Sequence, residues 1–286
     1  MSTLELRKGR EFGEIISDTF GYFRKYFKSL AKGLMLYSLP MIILSGILIG
    51  SGFGETFALT EMGENAPVDE FVGLGLKMFV GFFLLMITFV VIIHVTFKHI
   101  NLIDSGVDPD EITMNMLLEN FVRNFFGLIG LSIVVSFATF FGMLLFIIPG
   151  IYVFFKLSLA PAIFIIDEED FGDALSKSWE VTKDYWWFTF GVNFVMSFIV
   201  NILSNIVIVP FYVIMIIVVF ASGEPDMELF GTMFSVFYAL VMVVAGLLYS
   251  IPLVSQAMVY FTVNESKSGD SLKQRIDALA QQNFQG

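Results

Sequence analysis

Apolar positions run in six long blocks, residues 33–53, 73–97, 126–148, 151–166, 187–221 and 229–262, and charged residues collect between them. About 20 apolar residues are enough for a helix to cross a hydrocarbon core of about 30 Å. The blocks therefore predict an all-α polytopic membrane protein with six transmembrane helices. The fifth and sixth blocks exceed one crossing, and each holds a proline, Pro210 and Pro252, where a kink or tilt absorbs the excess. The midpoint of the fifth reads Asn201-Ile202-Leu203-Ser204-Asn205, without Gly, Pro or charge to make a turn, so it predicts one helix. Pro149-Gly150 predicts a tight outer turn between the third and fourth spans.

The stretch before each odd-numbered block has a second periodicity. Residues 13–27, 110–126 and 172–186 each carry an acid in a first turn, a basic residue about three turns on, and an aromatic pair entering the span. In the first, Ile15, Ile16, Phe20, Phe23, Phe27 and Leu30 recur at helical spacing. In the third, Leu175, Trp179, Thr182 and Trp186 share a face against Asp173, Lys177, Glu180 and Asp184. Acids at the start and bases at the end suit the helix dipole, and bases with aromatics suit a helix lying at the headgroup level. These stretches predict three interfacial amphipathic helices. One integral membrane domain then consists of a threefold repeat of interfacial helix plus hairpin, about residues 10–98, 108–168 and 171–263, with a short tail 264–286.

Orientation follows from the cations. With both termini in the cytoplasm, fourteen of the sixteen Lys and Arg residues fall inside. They include Arg24, Lys25, Lys98, Arg123, Lys183, Lys267, Lys273 and Arg275. The other two, Lys77 and Lys156, fall within spans, near their predicted outer ends. The outer loops carry only acids: Glu55, Glu61, Glu64, Asp69, Glu70, Glu224, Asp226 and Glu228. This is the positive-inside pattern. The segment ahead of the first apolar block is charged and lacks a signal-peptide core, so the first span is expected to direct insertion.

Composition narrows the chemistry. Of 286 residues 56% are hydrophobic and only 15% charged, against about 25% charged in soluble domains. A net charge of −11 argues against a nucleic-acid partner. The absence of Cys excludes disulfides and thiol chemistry. The two histidines, His94 and His99, lack the His-Glu-x-x-His pattern of a metalloprotease. There is no Gly-x-Ser-x-Gly and no phosphate-binding loop. The expectation is a non-enzymatic protein with no cofactor and no metal.

A few positions are candidates for binding. His94 and Lys98, four apart at the end of the second span, share a face that suits gripping a phosphate headgroup, gating a proton path or simple anchoring. Lys156 is the one basic residue well inside a span, either snorkelling or facing inward. Asn193, Ser197, Asn201, Ser204 and Asn205 form a polar stripe on the fifth span, and Ser235, Tyr238, Gly246, Tyr249 and Gln256 form a row on the sixth. The stripe predicts either interhelical hydrogen bonds or a polar cavity. Arg24, Lys25, Arg123, Trp179, Lys183 and Trp186 are candidates for the interface or a partner, and Trp179, Trp186 and Trp187 are all the tryptophans in the chain.

Pro149-Gly150-Ile151-Tyr152, the continuation Lys156-Leu157-Ser158-Leu159-Ala160-Pro161, then Ala174-Leu175, Ser178-Trp179 and Thr182-Lys183, with Phe12-Gly13-Glu14-Ile15-Ile16 near the N-terminus, carry a resemblance. Over roughly residues 10–265 the chain resembles the six-span membrane domain attached to some bacterial glycerophosphodiester phosphodiesterases, and stand-alone YciC-like membrane proteins. The phosphodiesterase itself is a TIM barrel of about 250 residues, and only a short tail follows the last apolar block here. The resemblance thus implies a bacterial inner-membrane module without the catalytic barrel. Two functions are expected: organising lipid or a membrane partner, or, alternatively, carrying a small or lipid-like solute through a polar cavity as a transporter or channel.

Overall fold

The computed structural model describes residues 5–63, 67–221 and 227–269. Glu64, Glu224, Asp226, Lys273 and Arg275, used above for orientation, lie outside the described residues. Among those described there are nine helices and no strand. They are α1 (Phe12–Met62), α2 (Val68–Asp104), α3 (Met114–Leu117), α4 (Phe121–Leu145), α5 (Ile147–Leu157), α6 (Ala160–Ile166), α7 (Phe171–Val181), α8 (Trp186–Ala221) and α9 (Met227–Ser268). Six helical segments, with α3–α4 and α5–α6 each counted as one, are long and apolar enough to cross a membrane. The chain is an all-α polytopic membrane protein.

The three predicted interfacial helices take three different forms. The first is no separate element: α1 runs 51 residues without a break, about 76 Å at 1.5 Å per residue. Nothing between Tyr22 and Lys32 removes a backbone donor, so the helix continues into the apolar block. The second is reduced to the single turn α3, capped by Thr113, whose Oγ1 accepts from the Met116 amide. Asn120 then adopts φ 57°, a left-handed conformation that Asn tolerates, and breaks the chain before α4. Only the third, α7, is a discrete amphipathic helix.

The turn between the third and fourth spans also differs from expectation. It lies at Phe146, in extended conformation, and α5 already begins at Ile147. Pro149 therefore sits in the first turn of α5, where its missing N–H costs no helical bond. Lys156, predicted near an outer span end, falls in the last turn of α5, about 14 Å along the axis from the start of that helix. α8 and α9 are each one helix with Pro210 and Pro252 inside, as the block lengths predict.

The chain divides into two compact units: Met1–Leu30, Ile93–Ser197 and Ile251–Gly286 form one, and Ala31–Ile92 with Phe198–Ser250 the other. This division cuts across the three sequence units, because α1, α2, α8 and α9 each contribute to both. In the first unit the centre is α6, where Ala160 and Ala162 through Ile166 are buried. The Phe164 ring lies directly on the α4 backbone at Gly127, where a Cβ would come within 2.2 Å of it. The second unit contains only segments of the four long helices. Gly46 and Gly50 of α1 meet Ala239 and Ser235 of α9 backbone to backbone, the small-xxx-small contact of membrane helices. The Lys77 ammonium meets the Glu55 carboxylate at 2.5 Å.

Candidate functional site

Apolar periodicity alone does not decide which face of a helix turns inward. On the first part of α1 the buried row is Ile15, Thr19, Tyr22, Tyr26 and Leu30, while Phe27 is 54% exposed. Of the inward hydroxyls Tyr22 finds a partner on α2, Thr19 bonds the Ile15 carbonyl of its own helix, and a phenyl ring is content in lipid. Tyr22 Oη lies 2.6 Å from His99 Nδ1, and Ser29 Oγ lies 2.9 Å from His99 Nε2. Both ring nitrogens of a fully buried histidine are thus engaged.

The same stretch of α2 holds His94 and Lys98, and both are buried. His94 Nε2 is 3.0 Å from the Leu117 carbonyl of α3, and its ring packs edge-on against Phe121. Lys98 lies between Glu119 at 3.0 Å and Glu168 at 3.4 Å. Asn101 donates to the Ile166 carbonyl at 2.7 Å. The predicted shared face exists, but it is occupied by other parts of the chain.

Lys156 is only 1% exposed, so it is the inward alternative that the structure adopts. Its Nζ donates to the Trp179 carbonyl at 3.2 Å and lies over the rings of Tyr152 and Trp179, 5.6 and 5.5 Å from their centres. Its own carbonyl accepts from Ser178 Oγ at 2.8 Å and Thr182 Oγ1 at 3.0 Å. The buried face at α7 is accordingly Ala174, Ser178, Val181 and Thr182; of the predicted face Thr182 is buried, while Leu175 is half-buried and Trp179 exposed. Small residues there let the helix approach α5 and α6 closely. Trp186 belongs to this packing: it stacks on Tyr152 and Phe190, and its Nε1 donates to the Tyr152 carbonyl at 3.1 Å.

An ionic hub went unpredicted. Asp167 accepts from Lys177 at 2.6 Å and from the Tyr260 hydroxyl, and Arg7 approaches it at 3.5 Å. Glu169 takes a second bond from Lys177 at 3.0 Å, and Asp104 takes Arg7 at 2.7 Å. Burial alone would lower the Lys177 pKa, but the bonds from Asp167 and Glu169 outweigh it, and the net shift is upward. Arg7 is raised for the same balance of reasons, burial against Asp104 and Asp167. For Arg10, burial prevails over Asp18, and its pKa is lowered. Partners drawn from opposite ends of the chain leave no local pattern to read.

Some cations are left over. Arg7, Lys8, Arg10, Lys77, Lys98, Arg123, Lys177 and Lys267 all lie within 4.0 Å of a carboxylate oxygen, Arg123 in an exposed pair with Asp170 at 3.2 Å. Among the described residues Arg24, Lys28 and Lys183 of the first unit have no such partner, and all three are exposed. Lys32, which belongs to the second unit, is likewise exposed. Lys25 lies over the Tyr26 ring at 5.1 Å. Phe27 and Trp187, the latter 77% exposed, flank these cations in sequence.

The polar stripe of α8 splits. Asn193 is buried, donates to the Thr189 carbonyl, and accepts from Gln256 Nε2 of α9 at 3.2 Å. That is the interhelical bond expected of such a stripe. Asn201 and Asn205 are exposed instead, so the row does not share one environment. Comparison with family models, with curated proteins and with solved structures finds no match to this chain.

Proposed function

We propose that this chain is a non-catalytic bacterial inner-membrane protein that organises anionic lipid along its basic rim, with both termini cytoplasmic. The observation that carries the reading is the unpaired set Arg24, Lys28 and Lys183 in a chain of net charge −11 whose other described cations are mostly ion-paired. An acid-rich protein that leaves these three exposed beside Phe27 and Trp187 offers anionic headgroups charge and an aromatic anchor together. The positive-inside pattern and the resemblance to the membrane domain of glycerophosphodiester phosphodiesterases support the placement. The occupied state of His94, Lys98 and Lys156 favours lipid at the rim over solute in an interior path.

A juxtamembrane cation is worth about 1 kcal/mol toward an anionic surface, so three supply about 3 kcal/mol before screening. The test is native mass spectrometry of full-length protein released from mixed phosphatidylglycerol–phosphatidylcholine nanodiscs. The parent should retain phosphatidylglycerol preferentially. Arg24→Gln with Lys28→Gln and Lys183→Gln should abolish the preference while leaving the melting temperature in place. Equal retention of the two lipids by the parent would refute the reading.

A further inference from the structure

A helical hairpin that crosses a membrane brings its turn to water on the far side. The α4–α5 turn is not made for water. Leu144, Leu145, Phe146, Ile147 and Ile148 are each at least 69% exposed, and no side chain from Met143 to Pro149 is polar. The sequence around the other two hairpin turns is acidic instead, with Glu61, Glu64, Asp69 and Glu70 at one and Glu224, Asp226 and Glu228 at the other. Of residues 132–154 only Gly150 is buried, against Met143 of α4. This part of the hairpin packs mainly on itself, and an apolar surface open on so many sides needs hydrocarbon around it.

The direction of the hairpin follows from α7, which runs alongside it. Phe171, the first residue of α7, sets its ring on α4 at Gly130, 3.0 Å from where a Cβ would stand. Further on, Ser178 and Thr182 donate to the Lys156 carbonyl, and Trp179 meets the Tyr152 ring edge-on. The contacts thus step from the base of the hairpin toward its turn as α7 advances. Water reaches α7 along its whole length. Asp170, just before it, pairs with Arg123 in the open; Asp173 and Glu180 are exposed on it; Lys183 and Asp184, just after it, are exposed too. With 11 residues, α7 is about 16 Å long. Standing upright, it would carry the charges of one end halfway into a core about 30 Å thick. Lying flat, it keeps them all at the headgroups. The hairpin packed along α7 therefore lies flat as well.

Beyond α7 the hairpin has little length left. Trp186, the first residue of α8, stacks on Tyr152 and donates to its carbonyl at 3.1 Å, only two positions after the exposed Asp184. From Tyr152 to the turn at Phe146 is about 9 Å along α5, about a third of the core. We propose that the α4–α5 hairpin does not cross the membrane but lies within one leaflet, on the hydrocarbon side of α7, its turn covered by the acyl chains of that leaflet. A helix layer about 10 Å thick fits inside half of a 30 Å core. The chain then crosses four times, through α1, α2, α8 and α9, and its termini still share a side because the hairpin returns to the face it left. The hairpin is a wedge that displaces acyl chains in one leaflet only. This inference is independent of which headgroups the basic rim prefers.

The chain has no cysteine, which makes the test direct. A nitroxide attached to Ile133→Cys, Phe140→Cys or Phe146→Cys in the full-length protein sits at an exposed position that no core packing depends on. In phosphatidylglycerol–phosphatidylcholine bilayers its depth is read from collisions with oxygen, which concentrates in hydrocarbon, and with a water-soluble nickel chelate, which does not enter it. Asp69→Cys and Asp173→Cys, both exposed, are the wet controls and should collide freely with nickel. The label at Phe146→Cys should lose nickel collisions altogether and lie as deep as the label at Ile133→Cys, or deeper, with Phe140→Cys on the same trend. An upright hairpin would instead make Ile133→Cys the deepest of the three and return Phe146→Cys to water. Nickel collisions at Phe146→Cys, or a label there shallower than at Ile133→Cys, would overturn the proposal.

Discussion

Gly46 and Gly50 of α1 give a sharp test of how the second unit is held. A Cβ at Gly46 would lie 2.5 Å from Ala239 Cα and 2.8 Å from its Cβ; a Cβ at Gly50 would lie 2.5 Å from Ser235 Cα. Carbon atoms in ordinary contact are about 3.5–4.0 Å apart, so alanine at either site forces the two backbones apart by about 1 Å. Backbone cannot rotate away as a side chain can. Overpacking of this kind costs about 1–3 kcal/mol, set against about 1 kcal/mol that alanine gains over glycine in a helix. Each single substitution should therefore cost about 1–2 kcal/mol net, and Gly46→Leu considerably more. Gly73 of α2 supplies the control, because nothing lies within 4 Å of a Cβ there. Reversible unfolding by SDS in mixed micelles, followed by far-UV circular dichroism, should place Gly46→Ala and Gly50→Ala at lower SDS fractions than the parent and Gly73→Ala at or above it. If the three alanine variants unfold together, close backbone packing is not what joins α1 to α9.

The first unit supplies four more tests. Tyr22→Phe strips the buried His99 Nδ1 of its partner and should cost about 1–3 kcal/mol in the same assay, whereas Ser29→Ala, at a half-buried hydroxyl, should cost less. Ser178→Ala with Thr182→Val removes both hydroxyls that hold α7 to the Lys156 carbonyl, and amide hydrogen exchange over residues 171–181 should quicken while α4 stays protected. Lys156→Met deletes a buried ammonium with no carboxylate within 4.0 Å among the described residues, Asp184 acting on it only at longer range, and should leave stability within about 1 kcal/mol of the parent or raise it; a loss above about 3 kcal/mol would show that the ring and carbonyl contacts are worth more than the desolvation. Lys177 has its folded pKa raised, so its contribution is complete below the ordinary lysine value of about 10.4 and fades only as pH climbs through the raised one. The destabilisation caused by Lys177→Met should thus stay constant from neutral pH to about pH 10, and its disappearance before that would contradict the ion-pair geometry.

The number and type of the long helices are legible in the apolar blocks, because a run of about 20 apolar residues has few alternatives to a membrane helix. Their ends are not. Apolar content shows where a helix can cross lipid, but α1 starts at Phe12, well ahead of its apolar block, and only the lack of a breaker there signals the continuation. The buried faces depart from the predicted ones for a physical reason. Periodicity in Phe, Ile and Leu marks one face, while the inward rows also take in Tyr22 and Ser178, whose hydroxyls find partners on other elements as Phe27 need not. Gly46-Ile47-Leu48-Ile49-Gly50 is a readable signal for helix contact, although its partner on α9 is not. The hub at Asp167 offers no signal at all, since spacing within a window carries no information about Arg7 and Tyr260.

That hub has a consequence for biogenesis. Asp167 draws on Lys177 from its own neighbourhood, and on Arg7 and Tyr260 from near the two ends of the chain. The ribosome delivers Arg7 before Asp167 and Tyr260 well after it, so the carboxylate waits without its tyrosine while α8 and most of α9 are made and inserted. Non-local contacts of this kind form late because the loop between them must be closed first. The hub therefore acts as a latch on assembly, completed only when α9 arrives. Chains arrested at the end of α8 should carry an open, protease-accessible first unit even though most of the spans are already in the membrane.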